Sequence, residues 1–273
     1  MTKRISAAAI ADAIVQLRAA GCVFAEDEAA VLDEAAPDEP TLRELVRRRA
    51  GGEPLEQVVG YADFCGIRVR LRPGVFVPRI RSEHLVHRGA EIARMAVPAA
   101  PIVVDLCCGS GALGLAVRRQ VPGIDLYAAD VDPAAVACAR DNFGGDRDRV
   151  YEGDLFDALP ARLKGRVDVL LANVPYVASR HIALLPAEAR DHEPRTALDG
   201  GGDGLDVFRA VVNAAPMWLS PGASMLSEIT EAQVDAALAA VRAAGLEPEV
   251  SYDEDLEATV IAGHHQQRAA VRT

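Results

Sequence analysis

The chain has 273 residues, of which 50% are apolar and 25% are charged, and its 40 acidic and 29 basic side chains give a formal net charge of -11. This balance predicts a soluble globular protein with one large domain and a smaller partner domain. The acidic charge makes nucleic acid the weaker class of partner, and five cysteines without C-x-x-C spacing argue against a disulfide framework or a four-ligand zinc site.

The N-terminal residues 1–52 carry the pattern of a small helical unit. Ser6 is a candidate N-cap, and the capping-box pattern that begins at Thr41 predicts the start of a later helix. The basic run Arg47–Arg49 is expected to be the solvated end of that helix. The Ala-rich N-terminus is interrupted by polar residues, unlike a signal peptide, and no apolar stretch is long enough to cross a bilayer, so the expected compartment is the cytoplasm.

Residues 53–79 change to a strand-like pattern. Gln57–Val59 is rich in β-branched residues, Gly60 interrupts it, and Ile67–Leu71 alternates strictly between apolar and polar residues. The pattern predicts a β-hairpin linker between two domains.

Residues 80–273 alternate apolar strand patterns with helical patterns. This alternation predicts an α/β domain with a parallel sheet and helices on its faces, in which ligands bind at the carboxyl ends of the strands. The predicted strands lie at 102–106, 125–130, 149–154, 167–173 and 223–229 with a final pair near 247–262, and the helices near 112–120, 133–142, 204–219 and 231–244.

Polar side chains occur where successive predicted strands end. They are Asp105, Asp130, Asp154 and Asn173. Any one of these acids is readily explained as a helix cap or a solvated turn residue. Their recurrence at consecutive strand ends instead favours a ligand site along one edge of the sheet.

A glycine-containing turn follows the first of these strands. It consists of Cys107, Cys108, Gly109, Ser110 and Gly111. Together with Gly114 it satisfies the G-x-G-x-x-G fingerprint, and Asp130 lies near the spacing of a ribose-binding acid, so a dinucleotide-dependent oxidoreductase is one alternative. Asp105, which precedes the turn at the strand end, suits a methionyl ammonium group better than a pyrophosphate, and the turn resembles the first motif of S-adenosylmethionine-dependent methyltransferases.

The same strand ends suggest individual contacts with S-adenosylmethionine. Asp130 is expected to accept hydrogen bonds from both ribose hydroxyls, Asp154 to face the adenine amino group, and Leu155 to lie against the ring. Cys107 replaces the first glycine of the motif, which we expect to be compatible with close approach only if its backbone angles are ordinary. Cys107 and Cys108 are interpreted as packed small residues rather than reactive thiols.

These motifs together resemble the HemK/PrmC-type protein-glutamine methyltransferases from about residue 41 to residue 263. The shared stretches are Gly52–Leu55, Val75–Arg79, Asp105–Gly111, Asn173–Tyr176 and Glu193–Gly201. The resemblance implies a class I S-adenosylmethionine-dependent methyltransferase domain with a Rossmann-like seven-stranded sheet whose last strand is antiparallel. It also implies that the N-terminal helical domain helps to recognise a protein substrate presenting a glutamine.

The sequence departs from the family pattern at two places. The family's Pro-Arg-Pro-x-Thr-Glu corresponds to Pro78–Glu83 with isoleucine and serine substituted, and its Asn-Pro-Pro-Tyr appears with valine second. The resemblance suggests that Asn173 Oδ1 accepts one amide hydrogen, that the carbonyl of Val174 accepts the other, and that Tyr176 packs on the amide plane. Pro175 restricts the preceding residue to extended angles, so valine supplies the same carbonyl as proline.

Three other interpretations stay open at this point. The fold would also serve an N-methyltransferase for a small-molecule or nucleic-acid amino group. A dinucleotide-dependent oxidoreductase and a non-catalytic cofactor-binding protein are the alternatives from other classes. No metal is expected. Glu193, Arg195 and Asp199 are assigned to a loop at the substrate entrance and are not counted as catalytic.

Overall fold

The computed structural model describes residues 5–96 and 100–266. The helices in this part of the chain are α1 (Ala7–Ala19), α2 (Ala25–Ala35), α3 (Glu39–Ala50), α4 (Leu55–Val59), α5 (Glu83–Met95), α6 (Ala112–Gln120), α7 (Pro133–Phe143), α8 (Ala187–His192), α9 (Asp206–Trp218) and α10 (Val234–Ala243). The strands are β1 (Tyr61–Phe64), β2 (Ile67–Arg70), β3 (Ile102–Leu106), β4 (Asp125–Asp130), β5 (Val150–Glu152), β6 (Val167–Ala172), β7 (Leu219–Ile229), β8 (Glu247–Asp253) and β9 (Ala258–His264). Over the described ranges, no helix combines the length and apolar character needed to cross a membrane.

The N-terminal helices α1 to α3 and α4 enclose a core of their own, which includes the fully buried Leu17 and Leu32. Ser6 caps α1 as predicted, because its side chain accepts a hydrogen bond from the backbone of residue 9. The predicted start of α3 is wrong by a few residues. Asp38 is the N-cap, and Thr41 donates to it through its backbone N–H at 2.9 Å.

The linker contains a helix where a strand was predicted. Gln57–Val59 belongs to α4, which ends at Gly60 with φ of +81°. The β preference of two consecutive valines is overridden because Val58 is buried against the N-terminal core. The β-hairpin follows immediately, since β1 and β2 pair antiparallel in a two-stranded sheet.

The C-terminal part is a seven-stranded sheet with strand order β5-β4-β3-β6-β7-β9-β8. The first five strands in this order are parallel to one another, and β9 is antiparallel to both of its neighbours. One face packs on α5, α6 and α7, and the opposite face on α9 and α10. The α/β class and the antiparallel last strand are therefore confirmed.

The sheet topology brings the predicted strand ends together. Leu106 at the end of β3 pairs with Ala129 of β4 on one side and with Ala172 of β6 on the other. The parallel direction therefore places the residues after β3, β4, β5 and β6 along a single edge.

Candidate active site

A cavity of about 650 Å³ lies at this carboxyl edge of the sheet. The sequence-predicted site residues that line it are Cys107, Cys108, Gly109, Ser110, Asp130, Asp154, Leu155, Asn173, Val174, Pro175 and Tyr176. Asp105 and Gly111 lie outside this lining. The structure thus brings most of the predicted residues together in the wall of one cavity.

The turn after β3 has a left-handed backbone at three positions. Cys107, Gly109 and Gly111 have φ of +57°, +55° and +77°. The condition set for Cys107, ordinary backbone angles, is not met, because the chain reverses between the end of β3 and the start of α6. At Gly111 a Cβ would approach the ring of Phe143 to 2.9 Å, so glycine is required there by space as well as by angle.

The two thiols of this turn are not activated. Burial raises the pKa of Cys107 and of Cys108 above the ordinary value for a thiol, and nearby carboxylates raise it further. A thiol with a raised pKa stays protonated near neutral pH and is a poor nucleophile. This agrees with their interpretation as packed residues.

Asp105 supports the turn from below. Its side chain is 1% exposed, and one oxygen accepts a hydrogen bond from the backbone N–H of Gly114 at 2.9 Å. Burial raises the pKa of this carboxyl to about 7; the Gly114 hydrogen bond opposes the shift, and the charge of Asp130 adds to it. Direct contact between Asp105 and a ligand stays a prediction.

Asp130 is positioned by backbone groups but keeps acceptor capacity. One oxygen accepts from Gly109 N at 2.8 Å and the other from Asp132 N at 2.9 Å. A carboxylate has about four lone-pair sites, so each oxygen can accept a further hydrogen bond from the cavity. Asp154 and Leu155 line the cavity on the β5 side, Leu155 with φ of +44°. Their contacts with a cofactor stay predictions.

The side chain of Asn173 belongs to a polar cluster that the sequence did not predict. Asn173 Nδ2 donates to Ser82 Oγ at 3.1 Å, and Ser82 Oγ donates to Glu228 Oε2 at 2.6 Å. Tyr176 OH and Arg81 Nε both donate to Glu228 Oε1, at 2.7 and 3.0 Å. Burial and the neighbouring carboxylate raise the pKa of Tyr176, so its phenol stays protonated. Glu228 continues the regularity of polar residues at strand ends, because it lies at the carboxyl end of β7.

The segment that contains Asn173 is held from its outer side. Val177 N donates to Leu198 O at 3.0 Å, and Gln233 Nε2 donates to Tyr176 O at 2.9 Å. Within the described residues no donor is bonded to the carbonyl of Val174 or to Asn173 Oδ1. Two neighbouring residues of the cavity lining therefore each carry an oxygen acceptor without a protein donor.

Val174 itself is 2% exposed, and its side chain packs in the core that includes Leu205 and Phe208. The same residue also contributes to the cavity lining. The substitution of valine for the family's first proline therefore leaves a well-packed position. Its effect on acceptor choice stays a prediction.

Ion pairs beside the cavity connect distant parts of the chain. Glu193, whose side chain is fully buried, binds Arg79 at 2.6 Å. Glu188 at the cavity wall binds Arg49 of α3 at 2.6 Å, and Arg49 also binds Glu28 of α2 at 2.6 Å. The expectation that the whole Arg47–Arg49 run is solvated is wrong for Arg49, which is 9% exposed, because these two carboxylates enclose it.

Comparison with known proteins agrees with this geometry. Residues 66–237 match the family model described as the methyltransferase small domain. The chain is 37% identical over 198 residues to a release factor glutamine methyltransferase of Geobacter sulfurreducens, an alignment that covers 72% of this chain and 67% of that protein. It is also 37% identical over 216 residues to a 4-amino-L-phenylalanine/4-methylamino-L-phenylalanine methyltransferase of Streptomyces pristinaespiralis, with 77% and 73% covered.

A solved structure supports the same fold. The hMettl16 catalytic domain in complex with the MAT2A 3'UTR hairpin 6 aligns with a TM-score of 0.58 at 12% identity, covering 90% of this chain and 84% of that one. At this identity the likeness concerns the fold alone. With the sequence relatives and the matched family model, the chain belongs to the methyltransferase small domain family and is a HemK/PrmC-type methyltransferase.

Proposed function

We propose that the chain transfers a methyl group from S-adenosylmethionine to the side-chain amide nitrogen of a glutamine in a protein substrate. The observation that carries this proposal is the pair of free acceptors, Asn173 Oδ1 and the Val174 carbonyl, on consecutive residues of one cavity wall. A primary amide has two N–H hydrogens, and two adjacent oxygens match them. The relative from Geobacter sulfurreducens is named for the same reaction.

The other half of the cavity fits S-adenosylmethionine. A Cβ at Gly109 would meet no heavy atom within 4 Å, so the left-handed turn leaves its backbone open to a ligand. Asp130 retains lone pairs for ribose hydroxyls, while Asp154 and Leu155 are available to the adenine. When bound, the cofactor supplies a strongly electrophilic methyl group on its sulfonium.

The protein's contribution is orientation in a desolvated site. An amide nitrogen is a weak nucleophile because its lone pair is delocalised into the carbonyl. Holding both N–H groups fixes the nitrogen and its approach direction, and such positioning lowers the barrier. The N–CH3 bond would form as the S–CH3 bond breaks, and the nitrogen would give up one of its two hydrogens as a proton to water. Tyr176, which Glu228 and Arg81 hold through its hydroxyl, forms a rigid wall beside the acceptors.

An aromatic amine of a small amino acid is the second candidate acceptor. The Streptomyces pristinaespiralis relative, named for 4-amino-L-phenylalanine, aligns over 216 residues, more than the 198 of the Geobacter protein. A primary arylamine also has two N–H hydrogens, so the same two oxygens would accept them. The cavity chemistry is shared, and the acceptor itself must be identified by experiment.

The decisive experiment uses the purified protein, labelled S-adenosylmethionine and a nuclease-treated lysate, with the modified residue mapped by mass spectrometry. Label on a protein glutamine supports the proposal, and label only on a small arylamine supports the second candidate. Asn173→Ala is expected to abolish transfer while changing the cofactor Kd by no more than about threefold, or roughly 0.7 kcal/mol. Near-normal turnover of that variant would contradict the assignment of Asn173.

We place the activity in the cytoplasm and assign residues 1–52 to recognition of the protein substrate, residues 53–79 to the linker and residues 80–273 to the methyltransferase domain. All five cysteines are free, which suits a reducing compartment. The separate core of the N-terminal helices supports the assignment of a domain of their own.

A further inference from the structure

A directed chain of hydrogen bonds connects the buried carboxylate of Glu228 to the side-chain amide of Asn173 through Ser82. The two distances are 2.6 Å from Ser82 Oγ to Glu228 Oε2 and 3.1 Å from Asn173 Nδ2 to Ser82 Oγ. Ser82 is 1% exposed and Glu228 is 2% exposed, so water does not compete for these groups. The residues come from three distant parts of the chain, which meet only in the folded protein.

The number of available hydrogens fixes the direction of this chain. A carboxylate can only accept, and a serine hydroxyl has one hydrogen to donate. Because Ser82 donates that hydrogen to Glu228, Ser82 can only accept from Asn173. The NH2 group of Asn173 must therefore face Ser82, and a flipped amide would place its oxygen against a hydroxyl with no hydrogen left.

Two further donors hold Glu228 in its place. Tyr176 OH donates at 2.7 Å and Arg81 Nε at 3.0 Å, both to Oε1, while Oε2 serves Ser82. The guanidinium of Arg81 compensates the buried negative charge. One oxygen of Glu228 thus holds Asn173 through Ser82, and the other holds Tyr176 directly.

We propose that Ser82 and Glu228 are positioning residues that hold the Asn173 amide so that its oxygen, rather than its NH2 group, is presented to the acceptor nitrogen. This inference rests on the proposed function of Asn173 as the acceptor of a substrate N–H. A flipped Asn173 fills the same space but presents two donors to a group that itself donates. The orientation of this amide therefore decides whether the substrate nitrogen is held for methyl transfer.

A matched pair of substitutions at Ser82 tests the proposal. Thr and Val are nearly isosteric, so Ser82→Thr and Ser82→Val both introduce a β-branched side chain of similar shape, but only Thr keeps a hydroxyl. We expect Ser82→Thr to retain kcat within about threefold, and Ser82→Val to lose about 100-fold in kcat, as expected when a positioning contact is lost. The KM for the acceptor and the cofactor Kd should change little in both.

Two further variants avoid the methyl group that the substitutions above add at Ser82, so they control for an effect on packing. Ser82→Ala removes the hydroxyl without adding volume. Glu228→Gln keeps the shape but introduces a donor, which lets Ser82 turn its hydrogen toward Asn173 and permits the flip. Both variants should lose at least about tenfold in kcat and keep a cofactor Kd close to that of the unchanged protein.

The outcomes separate this inference from the proposed function. Ser82→Ala or Ser82→Val with kcat within about threefold of the unchanged protein would overturn the positioning role, as would an equal loss in Ser82→Thr and Ser82→Val. If the unchanged protein methylates an arylamine instead of glutamine, the proposed substrate fails, but the same comparison on that acceptor still tests the positioning. Normal turnover by Asn173→Ala would remove the basis of both.

Discussion

At the residue scale, Asp105 is a strand-end carboxyl that is buried and binds the backbone of the protein itself. It was predicted as a ligand-binding acid together with Asp130, yet it is 1% exposed and binds the backbone of Gly114. A Cβ at Gly114 would come within 3.1 Å of its carboxyl oxygen, which shows how closely α6 is seated on this group. Its ionisation should therefore affect stability.

Burial raises the pKa of Asp105 to about 7 from the ordinary value of 3.8 for this side chain. The folded state therefore binds this proton more tightly than the unfolded state, so its contribution to stability is present below about pH 4 and is lost as the pH rises through 7. Asp105→Asn keeps an acceptor for Gly114 and removes the titration. The unfolding free energy of the variant minus that of the unchanged protein should therefore be larger at pH 8 than at pH 5, by on the order of 2 kcal/mol.

Denaturant unfolding of both proteins at the two pH values, without cofactor, measures this difference. The other titrating groups are common to the pair, and Asp130 is the neighbour whose charge is coupled to Asp105, so the difference reports Asp105 together with this coupling. A constant difference between the variant and the unchanged protein across this range would show that Asp105 is not the titrating group.

Some site residues could be predicted from the sequence and others could not. The acids and Asn173 were predictable because each ends an apolar strand, which is a local signal. Ser82 was not predictable as a partner, because it lies 91 positions from Asn173 and only the packing of α5 on the sheet joins them. The left-handed backbone of Cys107 was also missed, because the steric preference of a non-glycine residue predicts the opposite.

At the scale of elements, the glycine-rich turn at residues 200–204 packs against residues 173–177, the segment that carries the two acceptor oxygens. Gly200 N donates to Val177 O at 2.9 Å, and a Cβ on Gly200 would lie 2.5 Å from the carbonyl oxygen of Pro175. From the sequence, the neighbouring Asp199 was assigned only to a loop at the substrate entrance. The contact of the turn with residues 175–177 depends on tertiary packing that no local pattern encodes.

Gly200→Ala and Gly202→Ala test this support. Neither glycine requires a positive φ, but a Cβ at Gly202 would meet no atom within 4 Å, so the second variant is the matched control. Gly200→Ala must displace backbone and should cost about 1–3 kcal/mol of stability. Because the displaced atoms adjoin the acceptor oxygens, kcat should also fall, whereas Gly202→Ala should match the unchanged protein. Thermal unfolding and turnover of the two variants give the comparison, and equal behaviour would refute the close contact.

The ion pairs of Arg49 connect two elements that are far apart in the sequence. Arg49 binds Glu28 of α2 and, 139 positions away, Glu188 of α8. A solvated arginine was predicted because the basic run lies at a helix end, and neither partner is close enough in the sequence to indicate the ion pairs. We expect Arg49 to hold both the N-terminal unit and the cavity wall.

Arg49→Met should cost about 3–5 kcal/mol in the N-terminal unit, because it leaves Glu28, whose side chain is only 13% exposed, without its partner. Hydrogen exchange should then accelerate in α2 and in residues 187–192. Glu188→Gln is the control, since this half-exposed carboxylate lies outside the N-terminal unit, and its variant should accelerate exchange only in residues 187–192. Unchanged exchange in both regions of Arg49→Met would contradict the connection.

At the scale of the whole molecule, the described residues form three apolar cores. Two lie on opposite faces of the seven-stranded sheet, and the third is enclosed by the N-terminal helices. The alternation of strands and helices predicted the first two, because both faces of a parallel sheet must be covered. The third was predicted as a helical unit, but its ionic contact with the cavity wall was not. A core substitution in the N-terminal helices can therefore destabilise this unit without directly changing the residues predicted to bind the cofactor.

Leu32→Ala uses this separation to ask whether the acceptor is a protein. Leu32 is fully buried in the N-terminal core, and its truncation should cost about 2–5 kcal/mol there. If the helical unit recognises a protein substrate, kcat/KM for the intact protein acceptor should fall about tenfold or more, whereas a short glutamine peptide confined to the cavity should lose less than about twofold. Val15→Ala is the control on the same unit, because Val15 is 64% exposed and its loss leaves the core intact. The cofactor Kd should be unchanged in both variants. An equal fall for protein and peptide would mean that the helical unit acts through the cavity wall and not through substrate recognition.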